Sequence, residues 1–181
     1  MKLPRALLPL AVLAFTATAC STAMRMRNAA ARAEAVMYNS SGAAVGTAQL
    51  WQDGNGTVNV EISSLTLPAG THGIHFHDVG KCEGPAFTTA SGHYNPMGME
   101  HGLQNPKGPH AGDNPNIVIP AGGVGNVSFS TDRVSLTPGT RTLLDADGTA
   151  LVVHASADDQ VTNPSGNSGA RIACGVVRAL P

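Results

Sequence analysis

The chain has 181 residues, with 11 Lys+Arg, 12 Asp+Glu and 7 His, for a formal net charge of −1 at pH 7. That length suits a single domain, and the lack of a basic surplus excludes a strongly positive nucleic-acid-binding surface. An anionic substrate has to be drawn in by local charge, not by the molecule as a whole.

The first 19 residues read as a secretory signal and not as part of the fold. Lys2 and Arg5 make a basic start, 6–15 is a short apolar run broken by Pro9, and Ala17-Thr18-Ala19 is a small-residue cleavage site. The run is too short to be a stable membrane span. Cleavage after Ala19 leaves Cys20 as the new N-terminus, which resembles a bacterial lipoprotein site where that cysteine carries lipid and anchors the protein to a membrane. The plainer alternative is an ordinary signal followed by an incidental cysteine. Either way the protein is expected to be exported, to the periplasm or cell envelope. Losing the signal removes two of the 11 basic residues and none of the acids, which takes the mature net charge to −3. Residues 20–32, with Met24, Met26 and three arginines, show no strong apolar period and read as a flexible tether. One domain is expected over 33–181.

Within that domain the pattern is β. Segment 57–63 (TVNVEIS) alternates, with Val58, Val60 and Ile62 on one face. It follows Asp53-Gly54-Asn55-Gly56, a hairpin signal. Further strands are expected over 35–39, 44–52, 71–77, 117–119, 125–131, 150–154 and 171–178, and no segment carries a convincing amphipathic helix. Short strands with 21 glycines and 12 prolines imply an all-β fold, an antiparallel sandwich or barrel.

Two connections are too long for ordinary turns: 79–115, and 155–170 at about half that length. Such loops in a compact domain are usually functional or disordered. The first holds Cys82, His93, His101, His110 and Asp113, which favours function, because metal ions and a disulfide can fix a loop that has no core of its own. With Cys20 taken as a processed terminus, Cys82 and Cys174 are left as a pair, and export permits a disulfide between them. It would close a loop of roughly 90 residues, worth about 4–5 kcal/mol in the chain-entropy model.

Thr71 to Asp78 reads THGIHFHD, three histidines in eight residues. Side chains alternate along a strand, so His75 and His77 share one face while His72, Ile74 and Phe76 share the other. With Ile74 and Phe76 facing a core, His75 and His77 are expected to project together from the outer surface as a pair of metal ligands; His72 has the wrong parity and is structural. Six histidines then remain, His75, His77, His93, His101, His110 and His154, with Asp113 three residues after His110. Imidazole suits zinc and copper, and an Asp oxygen is an acceptable zinc ligand. Seven side chains make one four-coordinate site with three left over, or two such sites if one histidine serves both metals through its two ring nitrogens. Spacing alone does not select the bridge. Taken singly, each has a bland reading: surface histidines on a strand, a polar loop, or a polar residue after Leu151-Val152-Val153. Met97 and Met99, near the loop histidines, are expected to be packing residues that fill irregular gaps.

Taken together, HGIHFHD, ASGHYNP (from Ala90), the spacing of His101, His110 and Asp113, LVVHASADD (from Leu151) and GNSGARIACGVV (from Gly166) resemble the copper/zinc superoxide dismutase family. The match runs over roughly 33–180 with the motifs in order. The resemblance implies an eight-stranded antiparallel Greek-key β-sandwich or barrel with two long functional loops. It implies one copper per subunit on His75, His77, His93 and His154, and one zinc on His93, His101, His110 and Asp113, so that His93 is the bridge. It also implies a Cys82–Cys174 disulfide, and Asp158 as the carboxylate that bonds the outer ring nitrogens of His75 and His101. The implied reaction is dismutation of superoxide to oxygen and hydrogen peroxide by copper redox cycling, with His93 taking up and passing on a proton and Arg171 guiding the anion. Asp159 is expected to be solvated. Relatives occur as monomers and homodimers, and the chain does not decide between them.

One departure stands out. The loop 155–170 (SADDQVTNPSGNSGA after Ala155) is short for the family's animal and plant members and has no lysine, so steering is expected to rest on Arg171 and the metals, or on Lys81 or Lys107 from the first long loop. Two other readings stand beside the enzyme: an extracytoplasmic copper-binding or copper-delivery protein on the same fold without turnover, and an exported structural domain that holds zinc alone.

Overall fold

The computed structural model describes Met26 and residues 29–181. The expected signal, Cys20 and most of the expected tether lie outside the described residues.

The chain opens with a three-stranded meander, β1 (Ala31–Asn39), β2 (Ala44–Gln52) and β3 (Val58–Thr66), so two residues expected in the tether already belong to a strand. The alternation read in 57–63 is realised: Val58, Val60 and Ile62 are buried while Asn59 and Glu61 are not. The turn between β2 and β3 closes with Gly56 N–H donating to Asp53 O at 2.9 Å, and Gly56 takes φ +93°, where glycine pays no Cβ penalty. After β3 come β4 (Gly70–His72), β5 (Ile74–His77), a single 3₁₀ turn at Thr88–Ala90, β6 (Ile117–Ile119), β7 (Val124–Thr131), β8 (Ala150–His154), β9 (Arg171–Val176) and β10 (Arg178–Leu180). The main sheet runs β5-β8-β9-β1-β2-β3-β7, with β10 also pairing β1, and β4 and β6 form a separate ribbon. All pairs are antiparallel. The chain crosses from β3 to the far end of the sheet to make β5, returns to the opposite edge for β7, and crosses again to make β8 beside β5. These crossings give the Greek-key character.

Ten strands replace the eight expected because two of the expected ones break. Segment 71–77 divides at Gly73, whose N–H donates to Ser156 O at 2.8 Å and whose carbonyl accepts from His154 N–H at 2.9 Å. A Cβ there would meet Ser168 Cβ at 3.0 Å and Asp158 Cβ at 3.2 Å, so the second loop packs directly on the break. Segment 171–178 divides at Val177, whose N–H turns away to Thr149 O at 3.0 Å.

The main core gathers Met37, Leu50, Ile62, Ile74, Phe76 and Leu151 among others. A smaller cluster on the opposite face of β8 joins Phe87, Ala90, Ala150, Val152 and Cys174, with Cys82 packed against it. β8 therefore buries both faces, which is why Ala150–Val153 is continuously apolar. The Cys82–Cys174 disulfide, with Cα atoms 5.6 Å apart across 92 residues of chain, pins the start of the first long loop to β9.

β5 is the last strand of the sheet, and the first long loop closes its free edge. Phe76 N–H donates to Gly112 O at 2.9 Å, Gly112 N–H to Tyr94 O at 2.8 Å, and Tyr94 N–H to Phe76 O at 2.8 Å. A Cβ on Gly112 would lie 2.3 Å from Phe76 O and 3.0 Å from Tyr94 N, so no larger residue fits this three-way contact. Gly112→Ala is expected to destabilise the metal-free protein by about 1–3 kcal/mol, the usual cost of overpacking. A denaturant midpoint unchanged from wild type would contradict this.

Candidate metal centre

The strand parity holds, but its expected consequence does not. Ile74 and Phe76 enter the core as read, yet His75 and His77 are 0% exposed instead of lying on an outer surface. The two long loops fold over that face. His72 is held apart, its Nδ1 2.8 Å from His154 O and its Nε2 2.9 Å from Pro68 O.

The other six histidines converge with Asp113. The edge contacts of β5 bring the loop alongside it, so that His77 lies opposite His93 and His75 opposite Asp113. One group of ligand atoms comes from His75, His77, His93 and His154; a second joins His75, His93, His101 and Asp113. His75 and His93 stack with ring centroids 3.9 Å apart, which is why His75 falls in both. Its Nε2 is already taken by Asp158 Oδ2 at 2.7 Å, so only Nδ1 is free, and we place it with the first group. His110 falls outside the tight second group, yet its Nδ1 lies 3.3 Å from Asp113 Oδ1.

Asp113 is the node of the second group. Its Oδ2 accepts the N–H groups of Gly102 and His110, each at 2.9 Å, which turns Oδ1 toward the Nδ1 atoms of His93 and His101, both at 3.0 Å. In the first group, His77 Nε2 and His154 Nε2 face each other at 3.4 Å, while their Nδ1 atoms are occupied by Ser91 O and Gly169 O at 2.9 and 3.1 Å. Behind both groups, Asp158 reaches His75 through Oδ2 and His101 Nε2 through Oδ1 at 3.0 Å.

The two groups differ electrically. Burial holds His77 well below the ordinary imidazole value and lowers His75 against the pull of Asp158; it brings His93 to about 4 and His154 to about 3. These rings are neutral at pH 7, as metal-ligating imidazoles must be. His101 is opposite in sense. Burial would lower it, but hydrogen bonds to Asp113 and Asp158 raise it to about 9. Burial would likewise raise Asp113, yet its bonds from His101, His110 and His93 hold it far below the carboxylate range. Asp158 is lowered by its bonds to His101 and His75 in the same way.

The residues fit metal ions on a further count. His75 Nδ1 and His93 Nε2 are buried and lack any hydrogen-bond partner. A buried polar nitrogen left unpaired costs roughly 1–3 kcal/mol, and two within the first group point to an electron-pair acceptor between them.

The accessory residues expected from the sequence lie around this centre or on the loops beside it. Arg171 donates from Nη1 to Phe87 O at 2.6 Å and from Nη2 to Ser91 O at 2.5 Å. Ser91 O is the same carbonyl that faces His77 Nδ1, so the guanidinium is tied to the first group. Lys107 is paired with Glu100 at 3.3 Å, whereas Lys81 is exposed and forms no ion pair among the described residues. Asp159 is exposed as expected, and it also shapes the second loop by accepting Val161 and Thr162 N–H at 3.0 and 2.8 Å. The expectation for Met97 and Met99 fails: they are 61% and 41% exposed and fill no gap.

Four supporting residues escaped sequence reasoning. Arg133 Nη2 donates to Asp113 O at 2.6 Å. Asn116 holds the Asp158 backbone through two bonds of 2.8 Å, and Asn163 Oδ1 accepts from His101 N–H at 2.9 Å. Gly166, at φ +61°, leaves the space that Asp158 fills, since a Cβ there would sit 1.7 Å from Asp158 Oδ1. Only Gly166 had a sequence signal, as part of the GNSGAR motif.

Comparison with known proteins agrees with this geometry. Residues 44–177 match the family model for copper/zinc superoxide dismutase. The chain is 41% identical over 149 residues to superoxide dismutase [Cu-Zn] 2 of Aquifex aeolicus, covering 81% of this chain and 86% of that protein. It is also 41% identical over 143 residues to the superoxide dismutase-like protein YojM of Bacillus subtilis, covering 78% and 73% respectively. A crystal structure of a SOD-like protein from Bacillus subtilis superposes with a TM-score of 0.73 at 40% identity, covering 79% of this chain and 96% of that one.

Because one carboxylate orients a ring from each group, Asp158→Asn is expected to weaken metal binding about 10–100-fold. Gly166→Ala, which pushes the same carboxylate aside, is expected to act in the same direction. Competition with a chromophoric chelator measures both, and wild-type affinity in the pair would show that Asp158 does not orient the rings.

Proposed function

This chain belongs to the copper/zinc superoxide dismutase family, and we propose that it converts two superoxide anions and two protons into dioxygen and hydrogen peroxide. The observation that carries the reading is the bipolar placement of His93, whose Nδ1 meets Asp113 while its Nε2 is buried and unpartnered among His75, His77 and His154.

Copper held by His75 Nδ1 and the Nε2 atoms of His77, His93 and His154 would supply the one-electron chemistry, and zinc on Asp113 Oδ1 with the Nδ1 atoms of His93, His101 and His110 would supply none. The roles of the protein groups follow. His93 is fixed by the Asp113 side, so its Nε2 is the atom that takes up a proton and passes it to the departing peroxide. Asp113 and Asp158 keep the imidazoles oriented and balance the positive charge of the site. Arg171 spends two N–H groups on loop carbonyls, and its remaining donors are free for an anion approaching beside His77. The disulfide and the Phe87 packing hold those carbonyls where Arg171 needs them.

The steering reading follows from ion pairing: with Lys107 neutralised by Glu100, Lys81 is the better partner to Arg171. The disulfide also supports an extracytoplasmic location, with attachment to the envelope through a lipid on Cys20; mass spectrometry of the mature N-terminus tests that. The copper-carrier reading keeps one supporting observation, that a 41% identical relative is named superoxide dismutase-like.

Superoxide consumption is expected only when zinc and copper are both loaded, and copper uptake without turnover would favour the carrier. Arg171→Ala is expected to lower kcat/KM by about tenfold or more, the lower end of steering effects. Wild-type kcat/KM is expected to fall with ionic strength, less so in Arg171→Ala and Lys81→Ala, and about normally in Lys107→Ala. A salt-independent wild-type rate would remove steering from the account.

A further inference from the structure

The turn after His93 holds two large apolar side chains in water with no packing to explain them. Of the six methionines, Met37 is fully buried in the core, whereas Met97 and Met99 are exposed, Met97 more than all but one of the exposed large hydrophobic residues of the described chain. The backbone beneath them is firmly closed. Gly98 N–H donates to Asn95 O at 3.2 Å, forming a β-turn with Pro96 at its second position. The Asn95 side chain closes a larger ring around that turn, with Oδ1 accepting Met99 N–H at 3.0 Å and Nδ2 donating to Met99 O at 2.8 Å. Gly98 takes φ +64°, a conformation that suits glycine and sets the two flanking methionines on one tip.

We propose that Met97 and Met99 form a thioether site for a soft monovalent metal ion, in the first instance Cu(I). Thioether sulfur is a weak hydrogen-bond acceptor and is not needed here for packing, but it selects Cu(I) over harder cations. Two thioethers two residues apart on a preorganised turn can grip one ion, with a gap of one glycine giving the flexible side chains room to meet. The site lies on the loop from which His93 and His101 hang. Met97 is four residues beyond His93, no more than about 14 Å of extended chain, and Met99 is two before His101. It suits capture of copper at the surface close to the buried histidines, with two neutral ligands giving weak, reversible binding. The inference rests on the reading that this chain takes up copper.

The test uses the mature chain carrying zinc and copper, so that the histidines are occupied, with ¹³C-methyl methionine and chloride-free Ag(I) as a redox-silent stand-in for Cu(I). The Met97 and Met99 methyl signals are expected to shift together and saturate near one equivalent, while Met37 stays fixed. Met97→Leu and Met99→Leu should each weaken binding at least about tenfold by removing the chelate. Zinc-only protein with both substitutions should load limiting Cu(I) more slowly than wild type. Unmoved Met97 and Met99 signals, or shifts confined to Met24 and Met26, would overturn the proposal. Silver binding is read without turnover, so this result and the dismutase assay can fail independently.

Discussion

β5 ends the sheet, and a strand edge left open offers its N–H and C=O groups to any passing chain. Here the edge is closed from within, by the backbone of Tyr94 and Gly112, 18 residues apart in the same long loop. That closure does more than protect an edge. It sets His93 against His77 and Asp113 against His75, so residues 16 and 38 positions apart in sequence become neighbours at fixed register. The seven converging side chains depend on it, and so does the burial of two strand residues that would otherwise face water.

Once assembled, the site is kept in order by two carboxylates with different duties. Asp113 has one oxygen held by backbone N–H groups and the other directed at imidazole nitrogens, so its orientation does not depend on what it binds. Asp158 stands behind the rings, one oxygen for each group, and its own backbone is held by Asn116. Neutral imidazoles gather on the side of His77 and His154, and a proton-holding His101 sits between the acids. A divalent cation in that second place would replace a proton that the two carboxylates now retain. The arrangement joins two loops and the sheet through single side chains, and Gly166 leaves the space that the Asp158 carboxylate fills.

Fold and activity remain separate inferences. Antiparallel sandwiches carry many functions, and the relatives at similar identity include both named dismutases and a protein named only as dismutase-like. What speaks for turnover in this chain is the site itself: four converging neutral imidazoles, and a guanidinium held by the same carbonyl that faces one of them.

The sequence by itself determined the all-β class, the hairpin before β3, the face that Ile74 and Phe76 turn to the core, and the set of histidines to consider, because alternation and turn residues are local properties of the chain. The family motifs added the expected ligand partition, and the disulfide is expected both from them and from the two cysteines left to pair. Tertiary structure alone decided the rest. Gly73 and Val177 break strands because distant backbone groups compete for their hydrogen bonds. His75 and His77 are buried because loops, not strands, cover them. Arg133, Asn116 and Asn163 support the site through backbone contacts that no spacing encodes, and Met97 and Met99 stand in solvent because their turn closes on itself before it reaches the core. Local pattern fixes which face a side chain takes; what lies over that face depends on where the long loops return.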